Sequence, residues 1–557
     1  MKQSASAMLR ALERARENYA PGAGAQKRAL LRALSSARLR TPREVRRLHE
    51  HLCYLHAYPD DARLFAQVER MLGSFARRSD LKRHHSALAD SGIAGTDIHY
   101  RFFWPAARRL AARWPRLLEI DWDNVHDEDA LARALPLIVT PVEAAWLQVR
   151  RPEPREALEQ LCAGKVREGT FYVRRVEALA GDDFTREAFF DGIDLAMVLR
   201  AGRDTPSRTR ARWGGSPATF RAAPLPRGRP DLRKALARPP ASVRFVSPTL
   251  GRAAVELARD AMVTRARDLD AFSYGESRDV RIVDDGDGLQ WLMIGTKPER
   301  RAPFRTAYGY VMLRSGVPVG YIQTDSLFGC ADISFNTFPT FRGGEAAHLF
   351  ARTLAMARAL LSAKSFTIEP YQLGHDNEDG IASGAWWFYY KLGFRPRNTA
   401  IRTIVRRELA RMKRDQKYRS PKKILRRLAE DYLYFEPGRE RAPSWPRVAE
   451  LGVRAAARLS SIAGAERETA ARRCVTDAMR LLGVRSLSRT GAAVRTAWQH
   501  WAPIVVQLPG IARWSSAEKR AFARVINLKG ARRESDYLSA FEAHPKLGAA
   551  MRRLCRA

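Results

Sequence analysis

The sequence predicts a mixed α+β/α/β protein in three parts, a central mixed-sheet domain flanked by N- and C-terminal mainly α-helical basic regions. Three observations predict it. Apolar residues recur at helical spacing toward both ends of the 557-residue chain. Short β-branched and aromatic runs broken by turn residues gather between about residues 242 and 400. The charge divides the same way: residues 1–240 carry net +14, residues 241–400 net +2 and residues 401–557 net +21, within a total of +37. At roughly 100–200 residues per domain, the length agrees with about three domains. Hydrophobic residues make up 45%, enough to bury sizeable cores.

Residues 1–202 read mainly as helices. Thr41, Pro42 and Glu44 place a cap, a first-turn proline and a first-turn acid ahead of Val45, Leu48 and Leu52. Pro59 ends that helix, and Asp60 or Asp61 caps the next through Leu64, Val68 and Leu72. Residues 203–241, rich in Arg, Pro and Gly, read as a linker or extended wrap.

Residues 242–400 change pattern. Val243–Val246 is a strand and Leu250–Leu269 a helix. Val280–Val283 and Leu289–Ile294 form a hairpin around an acid- and glycine-rich turn. Thr306–Leu313 and Val317–Thr324 form a second around Ser315-Gly316. Asp332–Phe338 is a strand, Gly344–Leu361 a helix, Phe366–Ile368 a short strand, Ala385–Leu392 a compact aromatic helix and Asn398–Val405 a final strand. In residues 401–557, Ile404–Leu433 reads as a long amphipathic helix with a break near Ser420-Pro421. Helices follow within Arg447–Leu482, Leu487–Trp501 and Ser516–Leu528.

Several classes are excluded. The five scattered cysteines include no C-x-x-C pair, so neither a disulfide framework nor a thiolate zinc site is expected. His49, His51 and His56 lack the spacing of a helical zinc motif, and no metal is expected. Arg10, Glu13 and Arg14 interrupt the start before a secretory signal can develop. No stretch reaches the ~20 apolar residues of a membrane span. A soluble, cytoplasmic protein is expected.

The chemistry concentrates in Phe338-Pro339-Thr340-Phe341-Arg342-Gly343-Gly344-Glu345-Ala346-Ala347, which joins a strand to a helix. Glycines and small alanines let a ligand approach the backbone. The amides of a first helical turn point outward, and the helix dipole favours an anion there. Arg342 adds a guanidinium suited to phosphate. A plain Gly-Gly turn is the bland alternative.

The wider order is hairpin, strand, basic-glycine turn, helix, strand, and a short aromatic helix ending Tyr389-Tyr390-Lys391-Leu392-Gly393-Phe394. This order resembles the GNAT superfamily of acyl-CoA N-acyltransferases, over roughly residues 242–400. Tyr389 to Phe394 matches the family's Tyr-x-x-x-Gly-Phe ending, and Ala385 its preceding alanine. Arg342 and Ala347 match the ends of the family's Arg/Gln-x-x-Gly-x-Gly/Ala turn. Glu345 replaces its central glycine, and Ala382 stands where an asparagine is common.

The resemblance implies a GNAT-like domain that transfers an acyl group, commonly acetyl, directly from acetyl-CoA or another acyl-CoA to an amine. It implies a strand, here Ile333–Phe338, that parts from its neighbour to pair with the pantetheine arm. Phe338, Arg342, Gly343, Gly344, Ala346 and Ala347 would hold the cofactor. Tyr389 would protonate the departing thiolate, although a core position is its plain alternative. Asp332 and Glu369 are candidate bases by placement rather than by motif. The polar loop His375–Asp379 is suited to substrate contact, with an ordinary solvated loop as its alternative. The acceptor stays open between a small amine, a protein amine and an RNA-linked one. The alternative reading is a non-catalytic GNAT-like scaffold whose basic flanks bind nucleic acid or another polyanion.

Overall fold

The computed structural model describes residues 4–438 and 445–555, without the side chains of residues 445–448. Of the regions read from sequence, residues 1–3, 439–444, 556 and 557 lie outside the described residues. So does the side chain of Arg447, where a C-terminal helix is expected to begin. The chain forms two compact units. One comprises Met1–Pro224, Ala253–Tyr274 and Leu313–Pro318, and the other Leu225–Arg252, Gly275–Met312 and Val319–Ala557. The Pro/Gly/Arg-rich stretch 203–241 is therefore divided at Pro224.

In the first unit the helices start where the caps lie. The Thr41 side chain accepts from the Glu44 amide at 3.2 Å and opens helix Pro42–Ala57. Of the two aspartates ahead of helix Ala62–Ser74, Asp61 is the cap and accepts from the Leu64 amide at 2.7 Å. Asp60 instead takes the ammonium of the fully buried Lys27, also at 2.7 Å. The unit is not helical throughout. Strands β1 (Ile98–Tyr100), β2 (Leu118–Ile120) and β3 (Met197–Leu199) form an antiparallel sheet in the order β1-β3-β2. Met197 and Leu199 pack there with Trp104, Leu110, Tyr172 and Phe190. Each strand is three residues long, too short to show an alternating pattern in the sequence.

The second unit is mixed α/β, built on a large sheet with helices around it. Its strands are β4 (Ser242–Phe245), β5 (Gly275–Gly286), β6 (Leu289–Thr296), β7 (Thr306–Arg314), β8 (Val317–Leu327), β9 (Cys330–Thr337), β10 (Ser365–Ile368), β11 (Arg395–Pro396) and β12 (Leu433–Phe435). They lie in the order β11-β12-β10-β9-β8-β7-β6-β5-β4. β9 and β10 run parallel, whereas β8 pairs β9, and β12 pairs both β10 and β11, antiparallel. A parallel pair needs a crossover. Here it is α2 (Ala346–Leu361), against which packs α1 (Leu232–Ala237). Arg352 of α2 fixes that contact. It bonds the carboxylate of Asp285 at 2.6 and 2.7 Å, the Ala235 carbonyl at 2.8 Å and the Arg238 carbonyl at 2.8 Å.

The aromatic helix α3 (Ala385–Leu392) ends at Gly393, whose φ of 112° lies in the left-handed region that glycine alone adopts without strain. Two expectations fail beyond it. Asn398–Val405 is not a strand: the Asn398 side chain caps α4 (Thr399–Arg414) by accepting from Ala400 at 2.9 Å. Ile404–Leu433 is broken at the expected place, before Pro421, but its end is not helical. α4 stops at Arg414, Pro421 opens α5 (Lys422–Leu428), and Leu433–Phe435 is the strand β12, inserted between β10 and β11. The C-terminal region is thus more than a helical flank, since it supplies a strand of the central sheet.

Helices after β12 bury Trp498, Trp501, Phe522, Tyr537 and Phe541 with Leu327, Cys330 and Tyr434 of the sheet. α6 (Glu534–Ala543) is tied on through its first turn. Buried Asp279 of β5 accepts from the Glu534 amide at 3.1 Å and from the Tyr308 hydroxyl at 2.8 Å. That carboxylate needs a neighbour without a side chain, because a Cβ on Gly295 would sit 2.3 Å from Asp279 Oδ2. Gly295→Ala is expected to cost about 1–3 kcal/mol, read as a lower urea midpoint by tryptophan fluorescence. An unchanged midpoint would show that the Asp279 tie has slack.

Candidate functional site

The site forms where β9 leaves β10. Their register covers Ser365↔Cys330, Phe366↔Ala331 and Thr367↔Asp332 only. β9 runs on to Thr337, held on its other side by β8 as far as Gly320↔Thr337. β10 ends at Ile368, and Pro370 starts a short helix, Pro370–Leu373, that carries the chain away. From Ile333 to Thr337 the edge of β9 that faced β10 has no strand partner among the described residues.

Side chains alternate across this gap. Phe335 points to the α2 face, where its ring meets Phe350 at 5.3 Å. Phe350 in turn meets Tyr389 of α3 at 5.2 Å. Asp332 and Ser334 point to the opposite face. The Thr367 hydroxyl donates to Asp332 Oδ1 at 2.6 Å, and the Ser334 hydroxyl to Glu369 Oε1 at 3.4 Å. Directly across from Asp332 on β8 stands Asp325, which accepts from Gln323 at 2.9 Å and lies 3.2 Å from Arg305. Three carboxylates, from β8, β9 and the end of β10, therefore share one face.

Burial drives the chemistry of Asp332 and Glu369. It pushes the Asp332 carboxyl well above the usual carboxylate range; the Thr367 hydrogen bond pulls it back, and Glu369 and Asp325 push it up again. Glu369 is raised by burial and by Asp325, against hydrogen bonds from Gln372 and Ser334. Burial also holds the phenol of Tyr389, 3% exposed, in its protonated form, and the charge of Asp332 adds to that effect. Tyr432, just before β12, is raised by burial and then by Asp332 and Glu369, which places a second phenol beside the carboxylates.

The turn after β9 is built differently. Phe338 is buried, donates its amide to the Val319 carbonyl at 2.9 Å and sets its ring 5.9 Å from Tyr321. The Phe338 side chain is thus packed in the core. Arg342, Gly343 and Gly344 are exposed. The Arg342 Nε–H turns back to the Thr337 carbonyl at 3.2 Å. Ala346 donates to the Gly343 carbonyl at 3.2 Å. Among the described residues the amides of Gly343, Gly344 and Ala347 have no acceptor. A Cβ on Gly343 would meet open space, whereas one on Gly344 would lie 2.9 Å from Cγ of Arg227, which brings a second guanidinium to the turn. Glu345, the cap residue of α2, is 4% exposed and makes no side-chain bond to the helix amides.

The structure therefore places the predicted residues in two groups joined by the free stretch of β9. Asp332, Glu369 and Tyr389 surround the parting on its two faces, and Arg342 to Ala347 lie at its far end. By strand rise, Ser334 to Phe338 spans about 13 Å. Sequence reasoning missed Asp325, Ser334, Thr367, Tyr432 and Arg227. For Asp325 a signal existed: folding the chain back at Phe328-Gly329 sets Asp325 opposite Asp332. Tyr432 and Arg227 come from segments with no local pattern. Among the described residues no three His, Cys, Asp or Glu side chains stand close enough to hold a metal ion. No helix among them is long and apolar enough to cross a membrane. Compared with protein families, curated proteins and solved structures, the chain finds no match in any of the three.

A carboxyl raised on folding favours the folded state while it is protonated and opposes it once ionised. Asp332→Asn keeps an acceptor for Thr367 and removes that cost. The variant is expected to be more stable than wild type at pH 8, on the order of 1–3 kcal/mol, with the gain lost below about pH 4, where an unfolded aspartate is itself protonated. Urea unfolding at both pH values tests this, and an equal gain at pH 4 and pH 8 would contradict a raised Asp332.

Proposed function

We propose that the second unit is an acyl-CoA-dependent N-acyltransferase, with acetyl-CoA the first donor to test and an amine the acceptor. The observation that carries the reading is the parting of β9 from β10 beside a turn whose amides lack acceptors. Free backbone along Ile333–Thr337 offers a strand edge to a pantetheine-like arm, and the Gly343, Gly344 and Ala347 amides suit a diphosphate. Arg342 and Arg227 add positive charge at that end. The crossover helix, the aromatic helix ending at Gly393-Phe394 and the parallel strand pair support the GNAT-like arrangement.

The donor supplies an activated thioester carbonyl. This chain's residues then have separable tasks. The acceptor amine must lose a proton as its nitrogen bonds the carbonyl carbon, and Asp332 or Glu369 receives it, directly or through water. Burial raises the basicity of both, the direction such a role calls for. As the carbon–sulfur bond breaks, the sulfur takes a proton, and Tyr389, held protonated by burial, is the donor. Thr367 orients Asp332 and Ser334 orients Glu369.

A second reading, the non-catalytic scaffold, draws on Glu345. Its buried carboxyl at the start of α2 lies where a diphosphate would bring negative charge. Isothermal titration with acetyl-CoA distinguishes the two. Wild type is expected to bind, Arg342→Ala to bind about tenfold more weakly, and Tyr389→Phe to bind normally. If no heat appears with wild type but Glu345→Gln binds, the scaffold reading stands; if neither binds, acyl-CoA is not the ligand. With a competent amine, Tyr389→Phe is expected to lower kcat on the order of a hundredfold at unchanged KM for the donor.

A further inference from the structure

α4 and α5 carry a charge imbalance that the fold does not use. Twelve basic and three acidic residues lie between Arg402 and Glu430. α4 buries Ile401, Val405 and Glu408. Its other side exposes Arg402, Arg406, Arg407, Arg411, Lys413 and Arg414. At 3.6 residues per turn, Arg402, Arg406 and Lys413 fall in one narrow stripe about 16 Å long, and Arg407, Arg411 and Arg414 in a second about 125° further round the helix. The connecting loop and α5 extend the surface with exposed Lys417, Arg419, Lys422, Lys423, Arg426 and Arg427.

The local acids do not balance this. Glu408 is 1% exposed and is taken up by the Tyr418 hydroxyl at 3.0 Å, the Ser420 hydroxyl at 2.6 Å and Arg411 at 3.1 Å. Asp415 accepts from the Lys417 amide at 2.8 Å, and Glu430 lies 3.6 Å from Arg427. Among the described residues no carboxylate pairs with Arg402, Arg406, Arg407, Lys413, Arg414 or Lys423. A solvated helix face serves solubility with both signs interspersed, whereas a one-signed cluster repels itself and costs stability.

We propose that this α4–α5 face binds the phosphate backbone of a nucleic acid. Eight of its twelve cations are arginine, whose planar fork grips phosphate oxygens two at a time. Two parallel stripes rather than a point cluster fit a ligand with repeated charges. The face is also held in place. Lys422 and Arg426 of α5 reach Glu378, at 3.5 and 2.5 Å, in the helix that follows the loop before α3. On the transferase reading this sets a bound strand beside the loop suited to acceptor contact; that consequence rests on the reading, and the binding itself does not.

The test is fluorescence anisotropy with a fluorescein-labelled single-stranded RNA of about 20 nucleotides, a length chosen to exceed a typical site of ~4–16 nucleotides, and the full-length protein. Wild type is compared with R402E/R406E/K413E and with a control of equal charge change in the first unit, R32E/R38E/R83E, whose side chains are also exposed. All six sites lie on the surface, and an unchanged thermal transition verifies folding. The α4 triple is expected to weaken binding at least tenfold and to flatten the slope of log K against log salt by about 2, three contacts at ~0.7 each. The control is expected to change affinity less than threefold. Equal losses in both triples would overturn the proposal, since total charge would then explain the binding. So would absent or salt-insensitive binding by wild type. Anionic phosphatidylserine vesicles that bind as tightly and displace the RNA would assign the face to a membrane surface instead.

Discussion

The arrangement of the second unit depends on where two parallel strands stop bonding. Asp332 and Thr367 form the last register pair of β9 and β10, and a side-chain bond of 2.6 Å reinforces it. Beyond it the chain departs in opposite senses: β9 continues along β8, and β10 turns at Pro370 into a helix. Proline enforces that departure, because it cannot donate to a ladder and starts a helix readily. A strand edge in the middle of a sheet leaves polar backbone groups that water or a ligand must satisfy. The gap is therefore a property of the covalent chain.

The same point explains the electrostatics. Three carboxylates on adjacent strand positions repel each other, and burial penalises Asp332 and Glu369 when ionised. Apolar residues at these places would pack the sheet at lower cost. The fold instead surrounds them with hydroxyls, two amides and one guanidinium, from Thr367, Ser334, Gln323, Gln372 and Arg305. These hydrogen bonds offset part of the burial cost of Asp332 and Glu369. On the far face, Tyr389 is kept protonated by the packing that holds it against Phe350. On the transferase reading proposed above, this sets a base and an acid on opposite sides of one gap, the separation of roles that proton transfer requires.

Local chemistry made much of this legible. The hairpins, the crossover helix and the Gly393 cap are written in turn residues and periodicity, and so are Asp332, Glu369 and Tyr389 as positions. What stayed hidden depends on distant chain. β12 is three residues long, and no alternating pattern marks Leu433–Phe435 as a central strand rather than the end of a helix. Asn398–Val405 is β-branched enough to read as a strand, but Asn398 caps a helix whose buried stripe decides the matter. Arg227 reaches the Gly344 turn from a proline-rich stretch because Arg352 and Asp285 hold the chain that follows it, and no spacing rule connects residues so far apart.

The basic excess itself needs division into what the fold consumes and what it leaves. In the second unit many cations are structural. Arg301 is spent on the carbonyls of Thr296, Lys529, Ala531 and Arg532, and buried Lys529 on Glu534 and the Arg305 carbonyl. Arg352 is spent on Asp285. Such groups add to the net charge without offering anything to a partner, because their donors are already committed. A sum over residues 401–557 therefore overstates the attraction toward a polyanion, and the composition does not locate it. The unspent charge is found by subtracting every paired or carbonyl-bound cation, and the remainder gathers on the outward half of α4, with Lys423 alone left on α5, whose Lys422, Arg426 and Arg427 are paired.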